Sequence, residues 1–141
     1  MNSTKWEVPV VPGNKNKCHV RVTALDSGNI SVGSDKSDKP FTIEVLRVTS
    51  PNGRETLTAG GSWTIRRLTN KTKYPVAKTK LQYTTGSTWR PIGTISGNPG
   101  SYLCTVPNVS SAKVKVNVIL KNAGGATVGT DISDRFFTIQ P

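Results

Sequence analysis

The sequence predicts an all-β protein, an antiparallel β-sandwich in which one complete module is preceded by half of another. Three observations predict it. A twelve-residue stretch is written twice, VGSDKSDKPFTI over 32–43 and VGTDISDRFFTI over 128–139. Short runs of alternating apolar and polar residues recur between Gly- and Pro-bearing turns, and no window holds a helical period over three turns. The composition, 34% hydrophobic with 13 Gly and 9 Pro, suits short strands whose outer faces are polar.

The repeat extends upstream of the anchor. Cys18 to Val22 lies over Val114 to Val118, 96 residues on. Trp6 to Pro9 lies over Cys104 to Pro107, 98 residues on, after a two-residue length difference in a polar loop. A spacing near 100 is that of a small β-sandwich module. Residues 1–43 match only the second half of such a module. Residues 44–100 form the first half of the next and 101–141 its second half. The expected domains are therefore a half-module over 1–43 and a complete module over 44–141.

Taken in order, Trp6 to Val8 reads as a short strand ended by Pro9. Cys18 to Leu25 alternates, with Cys18, Val20, Val22 and Ala24 on one face and basic residues on the other. Asp26 to Asn29 is a hairpin turn, Ile30 to Gly33 begins the return strand, and Asp35 to Asp38 is a loop. Phe41 to Val45 runs on into Glu44 to Thr49 with no flexible linker, which predicts a stiff joint. Ser50 to Gly53 is a turn. Strands follow over 63–68, 78–84, 89–95 and 102–106, then over 113–120, the longest, with Val114, Val116, Val118 and Leu120 inward. Ala123 to Gly125 turns the chain back, and the second anchor with Phe136 to Ile139 closes the module.

Several of these segments together carry a family likeness. In order they are Ser50 to Leu57 (SPNGRETL), Ala59-Gly60, Lys80 to Trp89 (KLQYTTGSTW), Gly100 to Tyr102, Val106-Pro107, Ser133-Asp134 and Phe137 to Ile139. The chain resembles the immunoglobulin-like (fibronectin-III-like) modules repeated in bacterial and archaeal cell-surface and secreted proteins. A related pattern occurs in yeast cell-wall glycan-assembly proteins. The resemblance implies an immunoglobulin-like sandwich serving as spacer, adhesive element or appendage to a hydrolase. Two positions depart from it. Arg67 stands where the pattern is usually aromatic, and Cys104 stands where Trp6 and the family have Trp.

The chain carries 19 Lys and Arg against 8 Asp and Glu, a net charge of +11, spread along its length. Such a surface favours acidic partners, and it also keeps sheet edges apart. With eight carboxylates and one histidine the chain offers no catalytic constellation. The Asp35/Asp38 and Asp131/Asp134 pairs each sit within one loop rather than across a cleft, and His19 has no nucleophile beside it. Asp-x-Ser-Asp offers too few oxygens for calcium and suits a tight turn, and no zinc spacing exists. No cofactor is expected. Cys18 and Cys104 lie at apolar positions and read as buried free thiols. The sequons at Asn2, Asn29, Asn70 and Asn108 carry little weight in a chain this rich in Ser, Thr and Asn.

The expected function is that of a non-catalytic structural or adhesive repeat of an extracellular or cell-surface protein or filament. No apolar run can span a membrane, and Met1 to Lys5 lacks the core of a signal peptide. The half-module start reads as that of a fragment. The leftover half has an apolar face at Cys18, Val20 and Val22 and no partner sheet in sequence. Two- or three-stranded sheets are marginal alone, so this face is the expected site of self-association, by domain swapping or strand complementation, or of contact with a neighbouring module. The alternative is a carbohydrate- or polyanion-binding module attached to a secreted enzyme, with Trp89, Tyr74 and Lys80 as contacts. Nucleic acid is disfavoured because the aromatics sit at core or turn positions.

Overall fold

The computed structural model describes residues 2–141 and places no helix among them. The first four strands are β1 (Lys15–Cys18), β2 (Arg21–Leu25), β3 (Ser31–Lys36) and β4 (Phe41–Ile43). Then come β5 (Leu46–Ser50), β6 (Thr56–Thr58), β7 (Ser62–Thr69), β8 (Lys78–Thr84) and β9 (Trp89–Ser96). The last are β10 (Ser101–Thr105), β11 (Ser111–Lys121), β12 (Thr127–Ile132) and β13 (Phe137–Gln140).

Strands β5 to β13 build the sandwich. One sheet runs β10-β7-β5, and the other runs β6-β13-β11-β8-β9 with β12 also on β11. All pairs are antiparallel except β6 and β13. Between the sheets lies one core, built from Leu46 and Val48 of β5, Ile65 of β7, Leu81 of β8, and the full inward row of β11, Val114, Val116, Val118 and Leu120. Period-2 alternation produces this row, and Lys113, Lys115 and Lys121 on the same strand stay out of the core.

Strands β1 to β4 stand apart from that core. They form two two-stranded ladders, β1-β4 and β2-β3, and no described residue before Val45 is buried. The segment expected as one strand over 18–25 is broken at His19 and Val20, and Trp6 to Val8 is not a strand. Both differences have one cause. In the sandwich β8 supports β11 along Lys115–Lys121, and β7 supports β10. Residues 5–25 have neither neighbour. Asp35 and Lys36 belong to β3 rather than to a loop, and β6 has no counterpart in the sequence reading. Cys18 and Cys104, expected at buried positions, are both half-buried.

Arg67 shows what its departure from an aromatic does. It is 5% exposed, on the inward face of β7. Its Nε donates to Asn98 Oδ1 at 2.8 Å, its Nη2 sits 3.5 Å from Thr79 Oγ1, and its buried Nη1 has no partner. Burial pulls its guanidinium below its ordinary pKa. No carboxylate offsets the desolvated charge, so an apolar chain of similar length suits the site better. Arg67→Met is expected to raise stability by about 1 kcal/mol in denaturant unfolding. A second test uses equivalent positions. Val118 is 0% exposed and Val22 is 67% exposed. Val118→Ala is expected to cost about 2 kcal/mol and Val22→Ala less than about 0.5 kcal/mol.

Candidate functional site

The twice-written anchor has a visible task in the sandwich. Asp131 on β12 accepts the Val48 amide of β5 at 2.7 Å through Oδ2, tying one sheet to the other. Ser133 is 1% exposed, its hydroxyl donates to Pro51 O at 2.9 Å, and its oxygen accepts the Val116 amide at 3.0 Å. Asp134 and Asn52 exchange two bonds, Asn52 Nδ2 to Asp134 Oδ2 at 2.9 Å and Asp134 N to Asn52 Oδ1 at 2.7 Å. Gly53 packs so closely against Arg135 that a Cβ there would collide with Arg135 Cβ. Asp131, Ser133 and Asp134 thus clamp residues 48–52, more than eighty positions earlier in the chain. The Asp-x-Ser-Asp pattern is a clamp rather than a self-contained turn, and no group of three His, Cys, Asp or Glu suited to a metal occurs among the described residues.

The first anchor folds with the same register. The β2-β3 pairs Arg21↔Lys36, Val22↔Asp35, Thr23↔Ser34, Ala24↔Gly33 and Leu25↔Ser31 repeat the β11-β12 pairs Asn117↔Ile132 to Lys121↔Thr127, bulge included. The β1-β4 pairs Lys15↔Ile43 and Cys18↔Phe41 repeat Ser111↔Ile139 and Val114↔Phe137. The turn repeats as well. Asp26 Oδ1 accepts the Ile30 amide at 3.0 Å, as Asn122 Oδ1 accepts the Ala126 amide at 2.9 Å. Asn29 adopts φ 62°, the left-handed conformation of Gly125 at φ 83°. Ser37 Oγ accepts the Val20 amide at 3.3 Å, as Ser133 does for Val116.

The faces differ. Val20 and Val22 are exposed and Cys18 half-buried, whereas Val114, Val116 and Val118 are buried. Val32, over the buried Val128, is also exposed. Asp35 and Asp38 accept no bond equivalent to those from Val48 and Asn52. A T-shaped contact between Trp6 and Phe41, centroids 6.3 Å apart, covers part of the β4 end.

A joint fixes this unit to the sandwich. Asn14 Oδ1 accepts the amides of Val45 and Leu46 at 2.7 and 3.0 Å, and its Nδ2 donates to Leu46 O at 2.8 Å. From the other side Asn70 Nδ2 donates to Glu44 O and its amide to Val45 O, both at 2.8 Å. An open cleft of about 390 Å³, lined by Val8, Pro9, Val10, Ile43 and Lys71 among others, lies beside it. Sequence reading foresaw the missing linker but not the two asparagines.

The proposed ligand contacts are dispersed. Tyr74 is exposed in the loop before β8, with Lys73 Nζ 5.7 Å from its ring centroid. Lys80 is half-buried in β8, and Trp89 opens β9 opposite Thr84. Lysines do gather on one sheet, where Lys78 lies opposite Lys121 and Lys80 opposite Ile119. The one ion pair among the described residues, Glu44 with Arg47 at 3.4 Å, is at the joint.

No protein-family profile matches the chain, and no curated protein sequence does. Among solved structures the chain is similar to the fibronectin(III)-like modules of Clostridium thermocellum CbhA, at 13% identity and a TM-score of 0.51. The match covers 69% of this chain and 100% of that one. It shows a fibronectin-III-like fold.

Asp131 supplies a test of the clamp. Burial pushes its carboxyl above the ordinary 3.8, the Val48 and Ile132 amides oppose this, and Asp134 and Glu44 add to it. The native state then holds the proton more readily than the unfolded chain. Stability from this group therefore falls as pH rises through the window between 3.8 and the raised native value. Asp131→Asn keeps an acceptor for Val48 and is expected to flatten that slope. Asp131→Ala leaves the buried Val48 amide without its acceptor and is expected to cost about 1–3 kcal/mol by urea unfolding at pH 7.

Proposed function

We propose, for a chain of fibronectin-III-like fold, that it is a non-catalytic structural module of an extracellular or cell-surface protein or filament. It acts as a stiff spacer in a tandem array, and its N-terminal half-module, 1–43, serves assembly with the material next to it. The observation that supports this reading best is the joint. The chain passes from β4 to β5 through two residues, and Asn14 and Asn70 hold that passage from both sides. Interdomain motion is the default when few bonds cross a boundary, and here the Asn14 side chain sends three hydrogen bonds across it to Val45 and Leu46, while two more from Asn70 hold Glu44 and Val45 to the sandwich. Such a connection transmits orientation from one unit to the next. Among the described residues no helix is long and apolar enough to cross a membrane.

A second reading has its own support. Lys78 and Lys121 face each other across β8 and β11 with Lys80 nearby, an arrangement that costs stability unless an anion relieves it. This favours a polyanion, most simply an acidic or sulfated glycan, on the β9-β8-β11-β12 sheet.

Asn14→Ala is expected to leave the sandwich folded while freeing the half-module. Small-angle scattering of the wild type should fit one rigid shape, and the variant should require an ensemble. If both need the same ensemble, the stiff-spacer reading fails. For the second reading, titration of 44–141 with a sulfated polysaccharide at low salt should show saturable binding that weakens with Lys80→Ala and with added salt. No binding at low salt removes it.

A further inference from the structure

We propose that the outer edge of β10 pairs with the same edge of a second copy of this chain, antiparallel about a two-fold axis at Leu103, so that two three-stranded sheets become one of six strands. The inference goes beyond the spacer reading and uses a surface separate from the N-terminal half-module.

The first observation is a gap in the charge. The chain carries 19 Lys and Arg and 8 Asp and Glu, yet no Asp, Glu, Lys, Arg or His occurs between Arg90 and Lys113. That interval holds most of β9, all of β10 and the loop into β11. Two identical molecules at +11 repel each other where their basic surfaces meet, and an uncharged flank is where they can approach. The second observation is the state of the edges. Sheet edges are ordinarily blunted by charge, proline, a bulge, short length or a cover. The free side of β5 is covered, its Val48 amide taken by Asp131. Strand β9 carries Arg90, Pro91 and a bulge, β12 has a bulge and Asp131, and β6 is three residues long. In the N-terminal unit Lys15, Lys17, Arg21 and Lys36 lie on the strands. Strand β10, SYLCT, has none of these devices and pairs β7 without a register shift. Leu103 at its centre is 67% exposed.

Hydrogen bonding fixes the register. Arg67 N donates to Gly100 O at 3.0 Å and Val106 N to Gly61 O at 2.8 Å, in line with Tyr102↔Ile65 and Cys104↔Trp63. Antiparallel ladders alternate, so Tyr102 and Cys104 spend their backbone groups on β7 while Ser101, Leu103 and Thr105 turn theirs to the free edge. Among the described residues no hydrogen bond ends on those outward groups. An open groove of about 520 Å³ lies beside them, lined by Tyr83, Pro91, Tyr102 and Asn108 among others. A second β10 laid along the edge about an axis at Leu103 sets Leu103 opposite the partner's Leu103 and Ser101 opposite the partner's Thr105. Both are hydrogen-bonded pairs, the two leucines cover each other, and Ser and Thr hydroxyls suit facing positions. No like charges meet. Arg66 lies opposite Ser101, so one line across the joined sheet reads Arg66, Ser101, the partner's Thr105 and the partner's Ser62. The two Arg66 side chains then stand at least three strand spacings apart, beyond a Debye length at physiological salt.

The test is mass in solution, by light scattering over a concentration series of the full chain. The expected result is a monomer–dimer equilibrium that shifts toward dimer as salt screens the net charge. Leu103→Lys and Leu103→Glu should each be monomeric, because position 103 faces itself, and an equimolar mixture of the two should form a heterodimer. Leu103 is mostly exposed, so both variants are expected to fold, and a native indole signal from Trp63 on the neighbouring strand reports that they have. In the wild type the Leu103 and Thr105 amides should exchange about tenfold or more slowly at high than at low protein concentration, while Tyr102 and Cys104 stay protected at both. The proposal is overturned if the chain is monomeric throughout the series, if the assembly survives Leu103→Lys, or if the mixture of folded variants stays monomeric. An assembly that survives Leu103→Lys and is lost in Val22→Asp puts the contact on the N-terminal unit instead.

Discussion

The sandwich depends on a polar contact across its two halves as much as on its apolar core. Hydrophobic burial draws the sheets together without direction. What sets β5 at one height against β12 is the bond from the Val48 amide to Asp131, with Pro51 and Asn52 gripped by Ser133 and Asp134. Val48 and Ser133 are almost wholly buried, so each of these groups must find its partner inside the protein or lose a solvated one. The clamp therefore selects one alignment of the halves among the many that a greasy interface would tolerate. Its charge adds a cost, since desolvation raises the Asp131 carboxyl.

The N-terminal unit separates what local sequence encodes from what packing supplies. Its turn, its bulge and its ladder match those of β11 to β13 pair for pair, though nothing packs on its apolar face. Turn chemistry at Asp26 and Asn29 and the alternation of β2 are enough to set register. They are not enough to keep an eleven-residue strand straight, because β11 is continuous where β8 flanks it and its equivalent breaks at His19 and Val20.

That separation also explains what was legible beforehand. The sandwich, most of its strands, its turns and the missing linker follow from period, turn residues and the repeat. The clamp was not legible as a clamp. Asp131 and Val48 are 83 positions apart, and a local reading of Asp-x-Ser-Asp sees only a turn. The anchor's repetition was the one signal available, and it marked the residues without naming their partner. Trp6 to Val8 misled for the related reason that its alternation suits a strand whose neighbour is absent. The asparagines of the joint left no trace, since Asn14 and Asn70 sit in polar loops that look like any other. Residue type and a turn or loop position mark Trp89 and Tyr74 in the sequence, and the fold spreads them, with Lys80, over a loop and two strands.

The one parallel pair carries a mechanical consequence. Strand β6 lies near the start of the sandwich and β13 ends it. They run side by side through Thr56↔Thr138, Leu57↔Ile139 and Thr58↔Gln140, with the Thr138 amide on Glu55 O and the Ala59 amide on Gln140 O. Tension between the two termini pulls β6 backward by its leading end and β13 forward by its trailing end. Parallel strands drawn this way slide past each other, so the bonds of the pair share the load at once instead of opening one after another. A hairpin such as β2-β3, pulled by its two ends, would unzip bond by bond. A pull on the two ends of the sandwich would thus meet a seam loaded in shear between its second strand, β6, and its last, β13.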